Sequence, residues 1–364
     1  MRIADLDTPA LLVDLDIMER NLCRAAAYAR EHGLRLRPHT KTHKIPALGR
    51  RQIELGAAGL TVAKTGEAEV MLRSGTPDLL VAYPVIGARK LERLMAVAKQ
   101  ARVTVALDSL AAARELSQAA SAAQLTIGVL AEADVGLGRV GVTPGPELID
   151  LIRGVARLPG LSFEGITFYS GHIKKLDGEG QRAIGELSAL VGRMLGEVRA
   201  AGFEPKVVSG GSTPALFESH RVEGMNEIRP GTYIFNDKNT VLSGACGYED
   251  CAASILATVV STARPGQIII DGGSKTFSSD RLSPIPEVSF GYLVEAPGAV
   301  FTRMNEEHGY IDVRQAGRNF EVGERVRMIP NHICTAVNLH EKVYGVRGEV
   351  VEQVWAVEGR GKLA

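Results

Sequence analysis

Between residues 34 and 235, short apolar runs alternate eight times with stretches of helical periodicity. The runs fall at 34–37, 59–64, 78–85, 102–108, 125–134, 161–169, 206–209 and 227–235. Helical patterns fill most of the gaps, near 46–55, 66–74, 88–100, 110–122, 146–157, 179–200 and 214–219. Such alternation predicts parallel strands joined by right-handed crossovers. Eight units over roughly two hundred residues make an α/β fold of the (β/α)8 TIM-barrel type the first choice. A doubly wound open sheet is the alternative, but no GxGxxG follows the first strand.

Ahead of this array, residues 10–16 read as a strand, with Thr8-Pro9 disfavouring helix before it, and 17–31 as a helix stopped at Gly33. Past about residue 240 helical periodicity fades. Short β-rich runs follow at 254–261, 267–271, 288–294, 310–313, 325–329, 342–346 and 349–357, with turn signals at Arg264-Pro265-Gly266 and Asp271-Gly272-Gly273. The expected division is a barrel over 10–242 and a mainly antiparallel β domain over 243–364.

Lysine plus arginine equals aspartate plus glutamate, 42 each, so no basic surplus points to nucleic acid. No apolar run approaches the ~20 residues of a membrane helix, and the charged opening residues predict no secretory leader. Cys23, Cys246, Cys251 and Cys334 form no CxxC pair; Cys246 and Cys251 stand five apart, and buried thiols in a cytoplasmic protein are the expectation.

Candidate chemistry gathers where the expected strands end, the edge on which barrel active sites are built. Arg37-Pro38-His39-Thr40-Lys41-Thr42-His43-Lys44 follows the first strand. A lysine held there and partly desolvated has a lowered pKa and serves as an amine nucleophile, although a basic solvent loop would read the same way. Ser209-Gly210-Gly211-Ser212-Thr213-Pro214 follows the seventh strand. Its glycines admit an anion close to the backbone, Ser212 and Thr213 offer hydroxyls, and Pro214 suits the first turn of a following helix. Gly231, Thr232 and Tyr233 in Arg229-Pro230-Gly231-Thr232-Tyr233 would close the same phosphate cup. A nucleophilic lysine and a phosphate cup across one barrel mouth point to pyridoxal 5'-phosphate, as they also do to phosphosugars. Arg139 in a glycine turn would reach the cofactor phenolate or a carboxylate, Tyr169 the ring nitrogen, and His172 the substrate; each also has a plain structural reading. In Pro330-Asn331-His332-Ile333-Cys334, an i, i+2 spacing at a strand end puts His332 and Cys334 on one face. Imidazole with thiolate favours zinc, and two ligands leave positions for substrate and water. A buried cysteine beside an exposed histidine is the alternative.

Taken together, the chain resembles the D-threonine aldolase/D-serine dehydratase family, of the alanine-racemase-like, fold-type III group of pyridoxal-phosphate enzymes. The carriers are Thr8-Pro9-Ala10 with Val13-Asp14-Leu15-Asp16, the 37–44 string, 209–214, Ile228-Arg229-Pro230-Gly231-Thr232-Tyr233 and His332-Ile333-Cys334. The resemblance implies that Lys41, and not Lys44, is the Schiff-base lysine. It implies that the strand before it (about 1–16) packs with the C-terminal domain, and that the enzyme is a homodimer. It also implies a divalent metal, zinc first and manganese or magnesium as alternatives, on His332 and Cys334. His-x-Cys and Gly211-Ser212-Thr213-Pro214 look like the dehydratase branch, whereas better-known aldolases carry His-x-Asp. The implied activity is a lyase on D-3-hydroxy amino acids, by β-elimination with Lys41 as base. Retro-aldol cleavage with His172 as base is the alternative, followed by racemisation and a non-catalytic cofactor carrier.

Overall fold

The first strand, β1 (Ala10–Asp14), leads into the helix α1 (Leu15–Glu31). The computed structural model describes residues 1–282 and 289–364. It divides the chain into two compact units, one of residues 23–231 with 361–364, the other of 1–22 with 232–360.

The first unit holds eight parallel strands: β2 (Arg35–Leu36), β3 (Leu60–Val62), β4 (Asp78–Val81), β5 (Arg102–Leu107), β6 (Ile127–Ala133), β7 (Leu161–Phe168), β8 (Val207–Gly210) and β9 (Glu227–Ile228). They pair in the order β2-β9-β8-β7-β6-β5-β4-β3. A parallel bridge from His39 to Thr61 joins the two ends and closes the barrel. The crossover helices are α2 (Pro46–Glu54), α3 (Thr65–Met71), α4 (Ala88–Ala98), α5 (Leu110–Ala122), α6 (Pro146–Ala156) and α7 (Gly178–Ala200). Their starts obey local chemistry. Proline opens α2 and α6, where its missing N–H costs nothing. Ser109 caps α5, and Asp177 accepts from the N–H groups of Glu179 and Gly180 to cap α7. Along α7 the buried positions Ile184, Leu187, Val191, Met194, Leu195 and Val198 recur at the helical period.

The barrel interior is polar on one side. Arg37 is buried and donates to Asp78 Oδ1 at 2.8 Å and to Glu227 Oε2 at 2.9 Å. Ser209 donates to Glu227 Oε1 at 2.8 Å and accepts from buried Arg229 at 2.6 Å. Each charge in the column has an opposite partner or a hydroxyl, which is what makes burying it tolerable.

Two sequence expectations fail in this unit. The strand expected at 227–235 stops at Ile228, because Pro230 offers no N–H to a ladder and a 3₁₀ turn at Thr232–Ile234 buries Tyr233 and Ile234 instead. The helix expected near 214–219 is a six-residue 3₁₀ turn, Leu216–Arg221, so no α-helix dipole stands behind residues 209–214.

The second unit is built on β1 together with β10 (Ala253–Arg264), β11 (Gln267–Ile270), β12 (Gly291–Leu293), β13 (Val300–Met304), β14 (Gly309–Asp312), β15 (Arg325–Pro330), β16 (Lys342–Arg347) and β17 (Val350–Ala356). The order runs β13-β14-β11-β10-β1-β16-β17, and β15 pairs with both β10 and β12. All these pairings are antiparallel except β1 with β16. The start of the strand expected at 288–294 lies outside the described residues. Among the described residues, three short helices interrupt the β texture: α8 (Lys238–Leu242), α9 (Ser274–Phe277) and α10 (Ile333–Leu339).

Candidate active site

In the barrel, β2 runs out into the basic string with its backbone already paired. His39 N–H donates to Pro230 O, Thr40 N–H to Thr61 O, and Thr61 N–H to Pro38 O. Two residues beyond His39, Lys41 is exposed. It has the strand-end position that the sequence predicts, without the partial desolvation. Lys44 is a different lysine. It is buried in the left-handed region at φ 56, with its ammonium 3.1 Å from Glu67 Oε1.

The histidines separate as well. His43 is buried; its Nδ1 accepts from the Ile45 N–H at 3.0 Å and its Nε2 meets Gln52 Oε1 at 3.3 Å. Burial lowers it to about 4, so it is a neutral structural group. Burial, with the nearby cations Lys41 and Arg229, holds His39 well below the ordinary imidazole range.

Arg139, Tyr169 and His172 come from the exits of β6 and β7. The Arg139 guanidinium lies 5.0 Å from the centre of the Tyr169 ring, a cation–π contact. His172 lies against Gly136 of the Arg139 loop, 3.5 Å from where a Cβ would stand. Below them Glu132 and Thr167 face each other in register on β6 and β7, both buried. Glu132 Oε2 and Thr167 Oγ1 make no hydrogen bond. Burial raises the Glu132 pKa, while Arg229 and Arg139 oppose the rise.

At the end of β8, Gly211 adopts φ 83, a conformation that favours glycine. Ser212 and Thr213 follow it, both buried. Gly231 packs where a Cβ would stand 2.9 Å from Thr42 Oγ1, against the lysine string itself. The division between the units falls immediately after it.

The metal candidates belong to the second unit, and the strand argument for them fails. β15 ends at Pro330; His332 is the N-cap of α10 and Cys334 lies in its first turn. They nevertheless meet. The charge of Cys334 beside it and Asp237 behind it push His332 up to about 11, against the effect of burial. Thr232 Oγ1 lies 3.6 Å from Cys334 Sγ, and Tyr233 is buried in the same turn. Asp237 is the residue that sequence reasoning missed. It is buried; its Oδ1 caps α8 through the Thr240 N–H and hydroxyl, and its Oδ2 accepts from the Ile333 N–H at 3.0 Å and meets His332 Nδ1 at 3.2 Å. A carboxylate on Nδ1 leaves Nε2 to a ligand, the usual arrangement behind a metal-binding histidine. Among the described residues no group of three or more His, Cys, Asp or Glu is placed to hold a metal.

Residues 13–239 match the family described as alanine racemase, N-terminal domain, and residues 252–346 match a putative serine dehydratase domain. The D-threonine aldolase of Arthrobacter sp is 32% identical over 99% of this chain and 94% of its own length. The crystal structure of D-threonine aldolase from Filomicrobium marinum superposes with a TM-score of 0.93 at 33% identity, covering 100% of this chain and 98% of that one. A cysteine-to-alanine variant of D-threo-3-hydroxyaspartate dehydratase, in the metal-free form, superposes with a TM-score of 0.88 at 30% identity, covering 98% of both chains. Fold and site thus define an alanine-racemase-like barrel enzyme. The chain belongs to the D-threonine aldolase/D-serine dehydratase family of pyridoxal-phosphate-dependent lyases.

Proposed function

We propose that this enzyme is a metal-dependent lyase of D-3-hydroxy amino acids of the D-serine dehydratase type, releasing a keto acid and ammonia. The observation that carries this reading is the His332–Cys334 pair with Asp237 anchoring the imidazole. It supports a His-x-Cys metal site in place of the His-x-Asp of the better-known aldolases. Aldolase cleavage, to glycine and an aldehyde, is the second reading, favoured by the Arthrobacter and Filomicrobium relatives.

The residues fit the two implied groups. An exposed lysine at a strand exit, a glycine loop with two hydroxyls, and two buried polar atoms without partners suit pyridoxal phosphate. When bound, that cofactor supplies an electron sink for negative charge at the substrate Cα. A divalent ion on His332 and Cys334, zinc first, supplies a Lewis acid for a β-hydroxyl. The chain's own side chains do the rest. Lys41 provides the amine that anchors the cofactor and, once released, the base that takes the Cα proton. Gly211, Ser212 and Thr213, with Gly231, Thr232 and Tyr233, bind the phosphate. Arg139 holds an anionic oxygen, and Tyr169 orients the ring beside it. In the second reading, retro-aldol cleavage, His172 would instead take the proton of the β-hydroxyl. Asp237 keeps His332 in the tautomer that presents Nε2. A cytoplasmic homodimer completes the proposal; of the thiols expected to be buried, Cys251 is, whereas Cys23 is exposed and Cys246 and Cys334 are half-buried.

The test is incubation of cofactor- and metal-loaded protein with D-serine, D-threonine and 3-hydroxy-D-aspartate, with products identified. Keto acid with ammonia is expected. Glycine with an aldehyde would transfer the assignment to the aldolase reading.

A further inference from the structure

We propose that Tyr28 of α1 is a positioning residue for the phosphate cup, acting through the 3₁₀ turn Leu216–Arg221 that follows the glycine loop. The inference deepens the proposed function: it rests on the reading of residues 209–214 as the phosphate-binding loop and adds the side chain that fixes where that loop stands.

The loop is tied to the turn along its length. Ala215 N–H donates to Ser212 Oγ at 3.4 Å, Leu216 N–H to Thr213 O at 3.2 Å, and Ser219 Oγ to Ala215 O at 3.0 Å. Ser219 Oγ also lies 3.5 Å from where a Cβ of Gly211 would stand, so the turn packs against the left-handed glycine of the loop. A 3₁₀ turn has poorer hydrogen-bond geometry than an α-helix and holds itself weakly. Close packing does not fix it either, because it borders a cavity lined by Phe168, Ile184, Leu187, Gly211, Ala215 and Met225. Its position has to be set by an outside anchor.

α1 supplies that anchor. Tyr28 is buried, and its single hydroxyl accepts from the His220 N–H at 3.0 Å and meets His220 Nδ1 at 2.8 Å. Burial raises the Tyr28 pKa, so the phenol keeps the proton that it offers to Nδ1. Rings complete the grip. Phe217 stands edge-on to Tyr28 at 5.3 Å, the His220 ring stacks on His32 at 4.2 Å, and the Arg24 guanidinium covers Phe217 at 4.1 Å. From α7, Gln181 meets Arg221 in an exposed contact, and Ser188 accepts from the Glu223 N–H beyond the end of the turn. Tyr28 is the buried side chain that bonds the turn itself.

Tyr28→Phe keeps the ring with its packing and drops both hydrogen bonds. Full-length protein freed of cofactor is titrated with pyridoxal 5'-phosphate and with pyridoxal, which presents the same aldehyde to Lys41 without a phosphate. Affinity for pyridoxal 5'-phosphate should fall about 3- to 10-fold, the bias that one net hydrogen bond can exert on the loop. Affinity for pyridoxal should not change, a discrimination that a general loss of stability would not produce. Ser212→Ala with Thr213→Ala is the reference for the cup. If that variant lowers the ratio of the two affinities and Tyr28→Phe leaves it unmoved, the cup stands and the Tyr28 proposal is overturned. If the reference variant leaves the ratio unmoved, the phosphate lies elsewhere and both readings fall. Should Tyr28→Phe not fold, hydrogen exchange in the wild-type protein decides. Saturating pyridoxal 5'-phosphate should slow exchange of the His220 amide about 3- to 10-fold more than saturating pyridoxal, because coupling between loop and anchor is reciprocal. Equal protection by the two would overturn the proposal.

Discussion

Lys41 and Lys44 sit three residues apart in one basic string, yet the structure assigns them opposite fates, and their alanine variants should fail in opposite ways. Lys44 and Glu67 form an ion pair with side chains only 7% and 3% exposed. Removing one partner of such a pair typically costs about 3–5 kcal/mol, because the other charge stays buried alone. Glu67 keeps one compensation, the Ala63 N–H at 2.7 Å on its other oxygen. Lys44→Ala should therefore lie near the lower end, at about 3 kcal/mol. Lys44→Gly should be milder by roughly 1 kcal/mol, since glycine accepts φ 56 without strain. Lys41→Ala removes an exposed side chain and should change stability by under about 0.5 kcal/mol. Cofactor attachment should invert the ranking. The Lys44 variants should retain the visible absorption band of bound pyridoxal phosphate, and Lys41→Ala should lack it. The assays are urea unfolding followed by fluorescence and CD, and borohydride reduction followed by peptide mapping. A cofactor adduct on Lys44, or a Lys44→Ala protein as stable as the wild type, would refute the reasoning.

Three further outcomes are expected. Stability should fall as pH drops from about 6.5 toward 4 through His43: the folded value is lowered to about 4, so within that window the unfolded chain binds the proton and the native chain does not. The full loss is up to about 3 kcal/mol, and unfolding curves of His43→Gln should show a flatter pH slope across the window. Asp237→Ala should weaken divalent-metal affinity about 10–100-fold in a chelator competition titration, as loss of a histidine's supporting carboxylate does, while Cys334→Ala should abolish binding; unchanged affinity in both would remove the metal from the second unit. Ser212→Ala with Thr213→Ala should weaken cofactor binding in equilibrium dialysis without altering the CD spectrum, since hydroxyl donors to phosphate are lost and packing is not.

The barrel was legible because alternation is a long-range signal. Each strand is short, and β2 and β9 have only two residues each, but the repeated spacing carries the pattern. Where the reading failed, a local apolar run misled it. Tyr233-Ile234-Phe235 looks like strand yet is buried in and just after a 3₁₀ turn, because Pro230 and Gly231 had already turned the chain. α10 was missed because seven residues give barely two turns of periodicity, directly after an apolar strand. His332 and Cys334 stand at a helix N-terminus and not along a strand, contrary to the sequence reading. Asp237 carries no signal at all: it stands 95 positions from His332, and only the folded backbone brings them together. Glu132 was hidden for a related reason, since nothing in an apolar strand marks which face a lone glutamate takes.

The place of β1 has a consequence for synthesis. Its partners are β10 and β16, with Leu12 opposite Ser254 on one side and Tyr344 on the other. While a ribosome works from the N-terminus, this apolar strand emerges ahead of both partners and then waits for more than two hundred residues before either neighbour exists. The barrel strands meet their neighbours far sooner, apart from the pairings of β2 that close the ring. A nascent chain therefore carries one exposed, unpaired strand edge through most of its elongation, the kind of segment that invites pairing with another molecule. The buried positions Ala10, Leu11, Leu12 and Val13 are where a chaperone that masks apolar segments would first be needed. Slowing elongation past residue 230 should lengthen that exposure without affecting the barrel.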